Sequence, residues 1–235
     1  MTDELVAEFA RAREAVLQRI AGACARVGRD PGGVTLVAVS KTHAAERVQA
    51  AIDGGLTVLG ENRVQEAVDK VAATHGGTWH LIGPLQSNKV RRAIEAVDLV
   101  QSVDSVDLAI RLDRIAGEVR PGQPFPILLQ VNVADDPAKA GFEPDDVAAV
   151  LGGLLALPNL RIEGLMTIGR LVASADAARP TFIALRELSA RLRVDSPALG
   201  PALSMGMSDD FEVAAEEGAT IVRVGRALFG QRPPA

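Results

Sequence analysis

The sequence predicts an α/β protein built as a single eight-stranded parallel barrel, the (β/α)8 or TIM barrel. Apolar runs of strand length alternate with helical patterns along the chain, and eight such runs occur. Strands that are apolar on both faces and separated by helices form parallel sheets covered by helices, and eight such units are the number that closes a barrel. The alternative is an open, doubly wound sheet. It is disfavoured because no Gly-rich G-x-G-x-x-G turn follows the first strand.

The first element predicted is an extra helix that precedes the barrel. Its apolar residues recur at steps of three and four and end at Gly28; they are Leu5, Phe9, Ala12, Val16, Ile20, Ala23 and Val27. Strands are then predicted near residues 34–40, 56–60, 78–83, 98–102, 126–133, 161–168, 201–205 and 220–224. Helical patterns lie between them at residues 44–52, 64–73, 89–96, 106–119, 145–156, 180–192 and 211–217. Since no linker or internal repeat interrupts this order, we expect one domain over residues 1–235.

Composition excludes several classes of function. The net charge is −5 and charges of both signs are mixed along the chain, which does not fit a nucleic-acid surface. The longest uncharged stretch, residues 147–160, is too short and too broken by Gly and Pro to span a bilayer. The start of the chain is acidic, unlike a secretory signal, and the single Cys24 cannot form an internal disulfide. We therefore expect a cytoplasmic protein.

Lys41 is the residue that first suggests a chemistry. It follows the apolar run of the first predicted strand, and the chemistry of such barrels sits at the carboxyl ends of the strands. The simplest alternative is an ordinary surface lysine. The three histidines, His43, His75 and His80, have no zinc-like spacing, so we expect no metal site.

Two other strand ends suggest a phosphate site. Ser208 follows the seventh predicted strand, and Gly225-Arg226 follows the eighth, where barrel enzymes often hold a phosphate. Ordinary glycine-containing turns are the alternative. An amine beside a phosphate suggests a Schiff base to a phosphorylated aldehyde, either in a sugar-phosphate aldolase or in a pyridoxal-phosphate protein. Arg223 favours the second, because the pyridine nitrogen needs a partner. Arg223 could instead pair with a carboxylate such as Glu61.

Six blocks of sequence at or beside these strand ends point to one family. They are residues 39–41 (VSK), 60–66 (GENRVQE), 80–89 (HLIGPLQSNK), 164–168 (GLMTI), 203–211 (LSMGMSDDF) and 222–225 (VRVG). Together they closely resemble the pyridoxal phosphate homeostasis protein family, over about residues 5–230. The resemblance implies a single barrel like the N-terminal domain of alanine racemase, with pyridoxal 5'-phosphate bound to a lysine.

Residue by residue, the resemblance places the internal aldimine on Lys41 and the pyridine-nitrogen contact on Arg223. It places the phosphate at Ser208 and the backbone of Gly225 and Arg226, with Ser204 as a further candidate. The residues it implies around the ring or its approach are Asn62, His80 and Met166. One departure is Arg226, which stands where family members often carry a small hydroxyl residue. A backbone contact to phosphate would survive that change.

The resemblance also bears on activity. Alanine racemase uses a lysine on one face of its substrate and a tyrosine from the second subunit on the other, and this chain contains no tyrosine. Little sequence remains after residue 230 for the racemases' C-terminal domain. We therefore expect a carrier that takes part in intracellular pyridoxal phosphate homeostasis, without robust catalysis and with no catalytic residue assigned. A low-efficiency amino-acid racemase is the alternative. Apo pyridoxal-phosphate enzymes are the expected recipients, and we expect a monomer or weak homodimer.

Overall fold

A computed structural model of the chain describes residues 3–134, 136, 138–169 and 172–231. The strands are β1 Thr35–Val39, β2 Val58–Glu61, β3 Thr78–Leu81, β4 Leu99–Val103, β5 Phe125–Gln130, β6 Leu160–Met166, β7 Ala202–Ser204 and β8 Ile221–Val224. The helices are α1 Asp3–Arg26, α2 Ala45–Asp53, α3 Val64–Ala73, α4 Val90–Ala96, α5 Val106–Val119, α6 Pro144–Leu155, α7 Arg179–Asp195, α8 Phe211–Glu216 and α9 Arg226–Phe229. Short 3-10 turns lie at Pro31–Gly33, Ser87–Lys89 and Ala175–Ala178.

The strands form a closed parallel barrel in sequence order, which confirms the predicted fold. Each strand pairs with its sequence neighbours, and β1 closes the ring by pairing with β8. In the closing register, Val37 lies opposite Arg223. The two strands that carry Lys41 and Arg223 are therefore neighbours at the seam of the barrel.

The predicted extra helix covers this seam. Helix α1 packs against α2, α8 and α9, and it buries Phe9, Val16 and Ile20. The helix after β8, α9, has only four residues, so it is too short to cover the strand by itself. Contact between α1 and α2 is close at Gly54, where a Cβ atom would lie 2.9 Å from the Phe9 Cβ and from the Val6 carbonyl oxygen.

Successive side chains along each strand point alternately outward and inward, so the apolar residues form two separate cores. Residues on the outer face of the strands join the helices in a large apolar core. A smaller cluster fills the barrel interior; its buried members are Val37, Leu99, Leu128, Met166 and Ile221. Buried polar side chains also lie among the strands, and three of them form a row in which Arg223 donates to Ser204 and Ser204 donates to Gln101. Among the described helices, none has the length and apolarity needed to cross a membrane.

Candidate cofactor site

Lys41 lies two residues after the end of β1, at the mouth of the barrel. Val37 belongs to the interior cluster and Ala38 to the outer core, so the two-residue period of a strand continues the inner side through Val39 to Lys41. The Lys41 side chain is half-buried. The same period directs Ser40 outward, toward α3.

A buried charged cluster fixes the backbone beside Lys41. Lys70, on α3, donates from Nζ to the Ser40 carbonyl oxygen at 2.8 Å and to Oε1 of Glu61 at 2.6 Å. The Ser40 hydroxyl donates to the same carboxylate oxygen at 2.6 Å. Burial raises the pKa of the Glu61 carboxyl, while the hydrogen bonds from Lys70 and Ser40 act in the opposite direction. Its Oε2 has no hydrogen-bond partner among the described residues. The cluster ties the end of β1 to α3.

The next residue along the chain is held in an unusual conformation. Thr42 has a φ of 69°, in the left-handed region that a β-branched residue rarely adopts. Its backbone N–H donates to Oε2 of Glu66 at 3.0 Å, and Glu66 in turn lies 3.6 Å from Nζ of Lys70. Residues on α3 therefore hold the chain on both sides of Lys41.

Arg223 lies inside the barrel, buried and without a carboxylate partner among the described residues. Its guanidinium donates from Nη1 to the Ser204 hydroxyl at 2.6 Å and from Nη2 to the Thr167 carbonyl oxygen at 2.8 Å. Glu61, which we considered as its partner, is paired with Lys70 instead. Burial lowers the pKa of the Arg223 guanidinium to about 10, and the charge of Asp210 opposes that shift. Arg223 is therefore charged at neutral pH, with further N–H groups for an acceptor.

Ser204, a further candidate for the phosphate, makes its side-chain hydrogen bonds to Arg223 and Gln101. Its hydroxyl is fully buried, accepts from Arg223 and donates to Oε1 of Gln101 at 2.6 Å. Both of its interactions are thus made inside the barrel. Its one hydroxyl hydrogen is directed to Gln101, so we propose no phosphate contact for Ser204.

His80 also lies away from the mouth. Its Nδ1 is 2.9 Å from Nε2 of Gln101, and its ring lines a cavity of about 410 Å³ among the amino ends of the strands. Burial lowers the pKa of His80 to about 4. Because its ring faces the opposite end of the barrel from Lys41, the structure does not bring it together with the other expected ring contacts.

The loops after β7 and β8 come together, as expected for an anion site. The Gly225 backbone N–H donates to the Ser208 hydroxyl at 3.2 Å, so the two residues expected to contact the phosphate are neighbours. Gly206, between β7 and Ser208, has a φ of 88°, and a Cβ atom there would lie 2.5 Å from that of Ala214. Only glycine allows this tight entry to α8. The Arg226 guanidinium is paired with Asp209 at the rim.

Asn62 and Met166 lie at different depths. Asn62 is partly buried and lines a cavity at the rim together with Arg63, Pro84 and Lys89. Met166 ends β6 and is fully buried in the interior cluster, so it belongs to the floor beneath the mouth. Among the described residues, no group of three or more His, Cys, Asp or Glu side chains could hold a metal ion.

Sequence reasoning found the polar strand ends but missed three partners. Gln101, Thr167 and Lys70 each bond to a residue that we had singled out, yet each is distant from it along the chain. Gln101 is visible in the sequence as an amide near the end of the fourth predicted strand, but its hydrogen-bond partners are not. Nothing local to Lys70 distinguishes it from the solvated lysines of other helices.

The donor set fits pyridoxal phosphate. It combines an amine at the mouth on Lys41, a buried guanidinium with N–H groups to spare on Arg223, and a hydroxyl beside a backbone loop at Ser208 and Gly225. These groups match an aldehyde, a pyridine nitrogen that can only accept a hydrogen bond from arginine, and a phosphate.

Comparisons with known proteins show the family of the chain. The family model described as "Alanine racemase, N-terminal domain" matches residues 13–233. The pyridoxal phosphate homeostasis protein of Pseudomonas aeruginosa is 45% identical over 221 residues, which cover 92% of this chain and 93% of the relative. That of Aquifex aeolicus is 42% identical over 219 residues, which cover 92% and 95% of the two chains.

Solved structures give the same result. PipY of Synechococcus elongatus PCC7942 with pyridoxal phosphate bound is 44% identical, with a TM-score of 0.80 over 90% of this chain and 100% of that one. Alanine racemase of Corynebacterium glutamicum is 17% identical, with a TM-score of 0.74 over 97% of this chain and 61% of that one. The second likeness is one of fold alone.

The barrel and the polar ends of its strands thus define a protein of the alanine racemase N-terminal-domain class. Within that class the chain belongs to the pyridoxal phosphate homeostasis protein family, because relatives of that name match it over nearly their whole length. This confirms the resemblance found in the sequence.

Proposed function

We propose that the protein binds pyridoxal 5'-phosphate through Lys41 and serves intracellular homeostasis of the cofactor as a carrier, with residues 1–235 acting as one cofactor-binding domain. The observation that carries the proposal is the buried guanidinium of Arg223, which has no carboxylate partner among the described residues and lies on the strand next to that of Lys41. Burying a charge of this kind costs free energy unless its N–H groups have hydrogen-bond acceptors, and a bound ligand can supply an acceptor for those that remain. The names of the curated relatives and the cofactor bound to PipY support the same ligand.

The spacing of the two groups supports this assignment. Arg223, on β8, lies opposite Val37, on β1. Val37 is four residues before Lys41 along the chain. At a rise of about 3.3 Å per residue, the two Cα levels differ by roughly 13 Å. This leaves room for a lysine side chain and an aromatic ring between the two backbones.

Each residue then has a distinct role. The cofactor supplies an aldehyde carbon that a primary amine can attack with loss of water, and Lys41 supplies that amine. Arg223 would donate a hydrogen bond to the ring nitrogen, and because it does not give up its proton it would leave that nitrogen unprotonated. Ser208 and the backbone of Gly225 and Arg226 would hold the phosphate. Asn62 would line the approach and Met166 the floor.

The same residues argue for a carrier rather than a strong catalyst. An unprotonated ring nitrogen is a weak electron sink, so removal of an α-proton from a bound amino acid is poorly assisted. The chain offers no tyrosine as a second base, and His80 faces the far end of the barrel. With neither a tyrosine nor His80 as a second base, we propose that the Lys41 amine takes up and releases the cofactor. We propose apo pyridoxal-phosphate enzymes as the recipients.

The test is to add pyridoxal phosphate to the purified protein and remove the excess by gel filtration. We expect a visible absorption band that stays with the protein. After incubation with an apo pyridoxal-phosphate enzyme and separation of the two proteins, we expect the bound cofactor to be found on the enzyme. A protein that stays colourless would contradict the proposed binding. Exchange of the α-proton of L-alanine in deuterated water, at rates well above those of free cofactor, would favour the low-efficiency racemase instead.

A further inference from the structure

Four side chains form an unbroken hydrogen-bonded row through the barrel interior, which we call the interior polar chain: Arg223, Ser204, Gln101 and His80. The successive distances are 2.6 Å from Arg223 Nη1 to Ser204 Oγ, 2.6 Å from Ser204 Oγ to Gln101 Oε1, and 2.9 Å from Gln101 Nε2 to His80 Nδ1. The exposed fraction is 5% for Arg223, 0% for Ser204 and Gln101, and 8% for His80. The row joins the proposed cofactor site to the opposite end of the barrel.

The charge of Arg223 fixes the direction of every bond in this row. A guanidinium only donates, so the Ser204 oxygen accepts from it. The single hydroxyl hydrogen of Ser204 is then free to go to Gln101, whose carbonyl oxygen is the acceptor within reach. This orients the Gln101 amide, because its NH2 group must face His80. Nδ1 of His80 therefore accepts, and the ring proton is on Nε2.

We propose that Ser204, Gln101 and His80 are positioning residues for Arg223, which act through this one-way chain to hold the guanidinium in place for the cofactor's ring nitrogen. The part of the proposal that concerns the ring nitrogen rests on the proposed function. The direction of the hydrogen bonds in the interior polar chain does not rest on it, since that direction follows from the protein's own donors and acceptors.

The surroundings of His80 support a neutral ring that acts as the end of the chain. Burial lowers the pKa of His80 to about 4, so the ring is neutral at pH 7 and keeps one nitrogen as an acceptor. The charged groups that line the same cavity are Asp98, before β4, and Arg161 and Glu163, on β6. Arg161 and Glu163 are hydrogen-bonded to each other, and Asp98 accepts from the Trp79 backbone N–H at 2.7 Å.

The first test determines the direction of the hydrogen bonds in the interior polar chain, and it needs no cofactor. Two-bond proton–nitrogen spectra of the protein labelled with 15N-histidine distinguish the two ring nitrogens, and a His80→Phe variant assigns the signal among the three histidines. We expect a protonated Nε2 and an unprotonated Nδ1 at neutral pH. We expect Ser204→Ala to abolish this single tautomer, because the Gln101 amide is then no longer oriented. The matched control is Gln130→Leu. Gln130 is another buried glutamine, but it donates to the Ala140 carbonyl oxygen and is not part of the interior polar chain. Its substitution should therefore leave the His80 signal unchanged.

The second test reads the effect on the cofactor site. We expect Gln101→Leu to weaken retention of pyridoxal phosphate about tenfold, the size of the loss of one hydrogen bond, because Ser204 loses its acceptor and holds the guanidinium less firmly. We also expect the visible absorption maximum to shift. Borohydride should still trap the cofactor on the protein. A merely structural role would lower the thermal midpoint without moving the spectrum. Ser204→Ala, a one-atom deletion, gives the same readout if Gln101→Leu does not fold.

The outcomes separate the two proposals. A proton on Nδ1 of His80, or an unchanged His80 signal in Ser204→Ala, would overturn the one-way chain whether or not the cofactor binds. An unchanged affinity and spectrum in both variants would overturn the positioning role. If wild-type protein takes up no pyridoxal phosphate, the proposed function fails, while the histidine spectra still decide the chain.

Discussion

At the scale of single residues, the site depends on which partner each polar side chain has. Glu61 and Arg223 both lie near the seam, yet Glu61 pairs with Lys70 outside the barrel wall and Arg223 bonds inside it. Because successive strand residues alternate between the two faces, one position decides which side a charge occupies. The Arg223 guanidinium is therefore not neutralised by Glu61.

His80 allows a prediction about stability and pH at this scale. Its pKa is about 4 in the folded protein, below the ordinary value of 6.5, because burial disfavours the charged ring. The unfolded chain therefore takes up the proton first as the pH falls. His80 contributes stability above about pH 6.5, and this contribution is lost progressively down to about pH 4, by up to roughly 3 kcal/mol.

The measurement is the free energy of unfolding in urea across this pH range. We expect His80→Gln to show a smaller loss of stability than the wild type between pH 6.5 and pH 4. The matched control is His75→Gln, which changes an exposed histidine and should keep the full loss. Parallel curves for wild type and His80→Gln would show that the ring is not buried as described.

At the scale of elements, α1 covers the seam of the barrel, because α9, the helix after β8, has only four residues. The contact with α2 depends on Gly54, where a methyl group would meet the Phe9 side chain and the Val6 backbone. We expect Gly54→Ala to force α1 away from α2 and to lower the free energy of unfolding by about 1–3 kcal/mol. Gly152→Ala is the control, since nothing lies within 4 Å of its Cβ position on α6. Urea unfolding of both variants checks this, and equal stabilities would contradict the close packing.

The elements were also the part of the structure that the sequence predicts best. Runs such as residues 34–40 and the three-and-four spacing of α1 are local signals, and the observed bounds differ by only a few residues. Partners such as Gln101 for Ser204 depend on strands that are 103 residues apart along the chain. Their pairing depends on barrel closure and stagger, which no local pattern encodes. For this reason the position of Ser204 at the end of β7 does not reveal its hydrogen bonds to Gln101 and Arg223.

At the scale of the whole molecule, one barrel combines features that favour reversible binding. Lys41 lies half-buried beyond the end of β1, the Arg223 guanidinium is hydrogen-bonded to Ser204 of the interior polar chain, and residues of α3 bond to the backbone around Lys41. The chain has only four lysines, and Lys70 is committed to Glu61 and the Ser40 carbonyl. Covalent attachment at Lys41 is thus the central claim, and it can be tested against three alternatives in the same molecule.

The direct measurement is borohydride reduction of the protein saturated with pyridoxal phosphate, followed by proteolysis and mass spectrometry of the lysine peptides. We predict a single pyridoxyl adduct on Lys41, and its absence in Lys41→Ala. An adduct on Lys70, Lys89 or Lys139 in place of Lys41, or undiminished labelling in Lys41→Ala, would contradict the account.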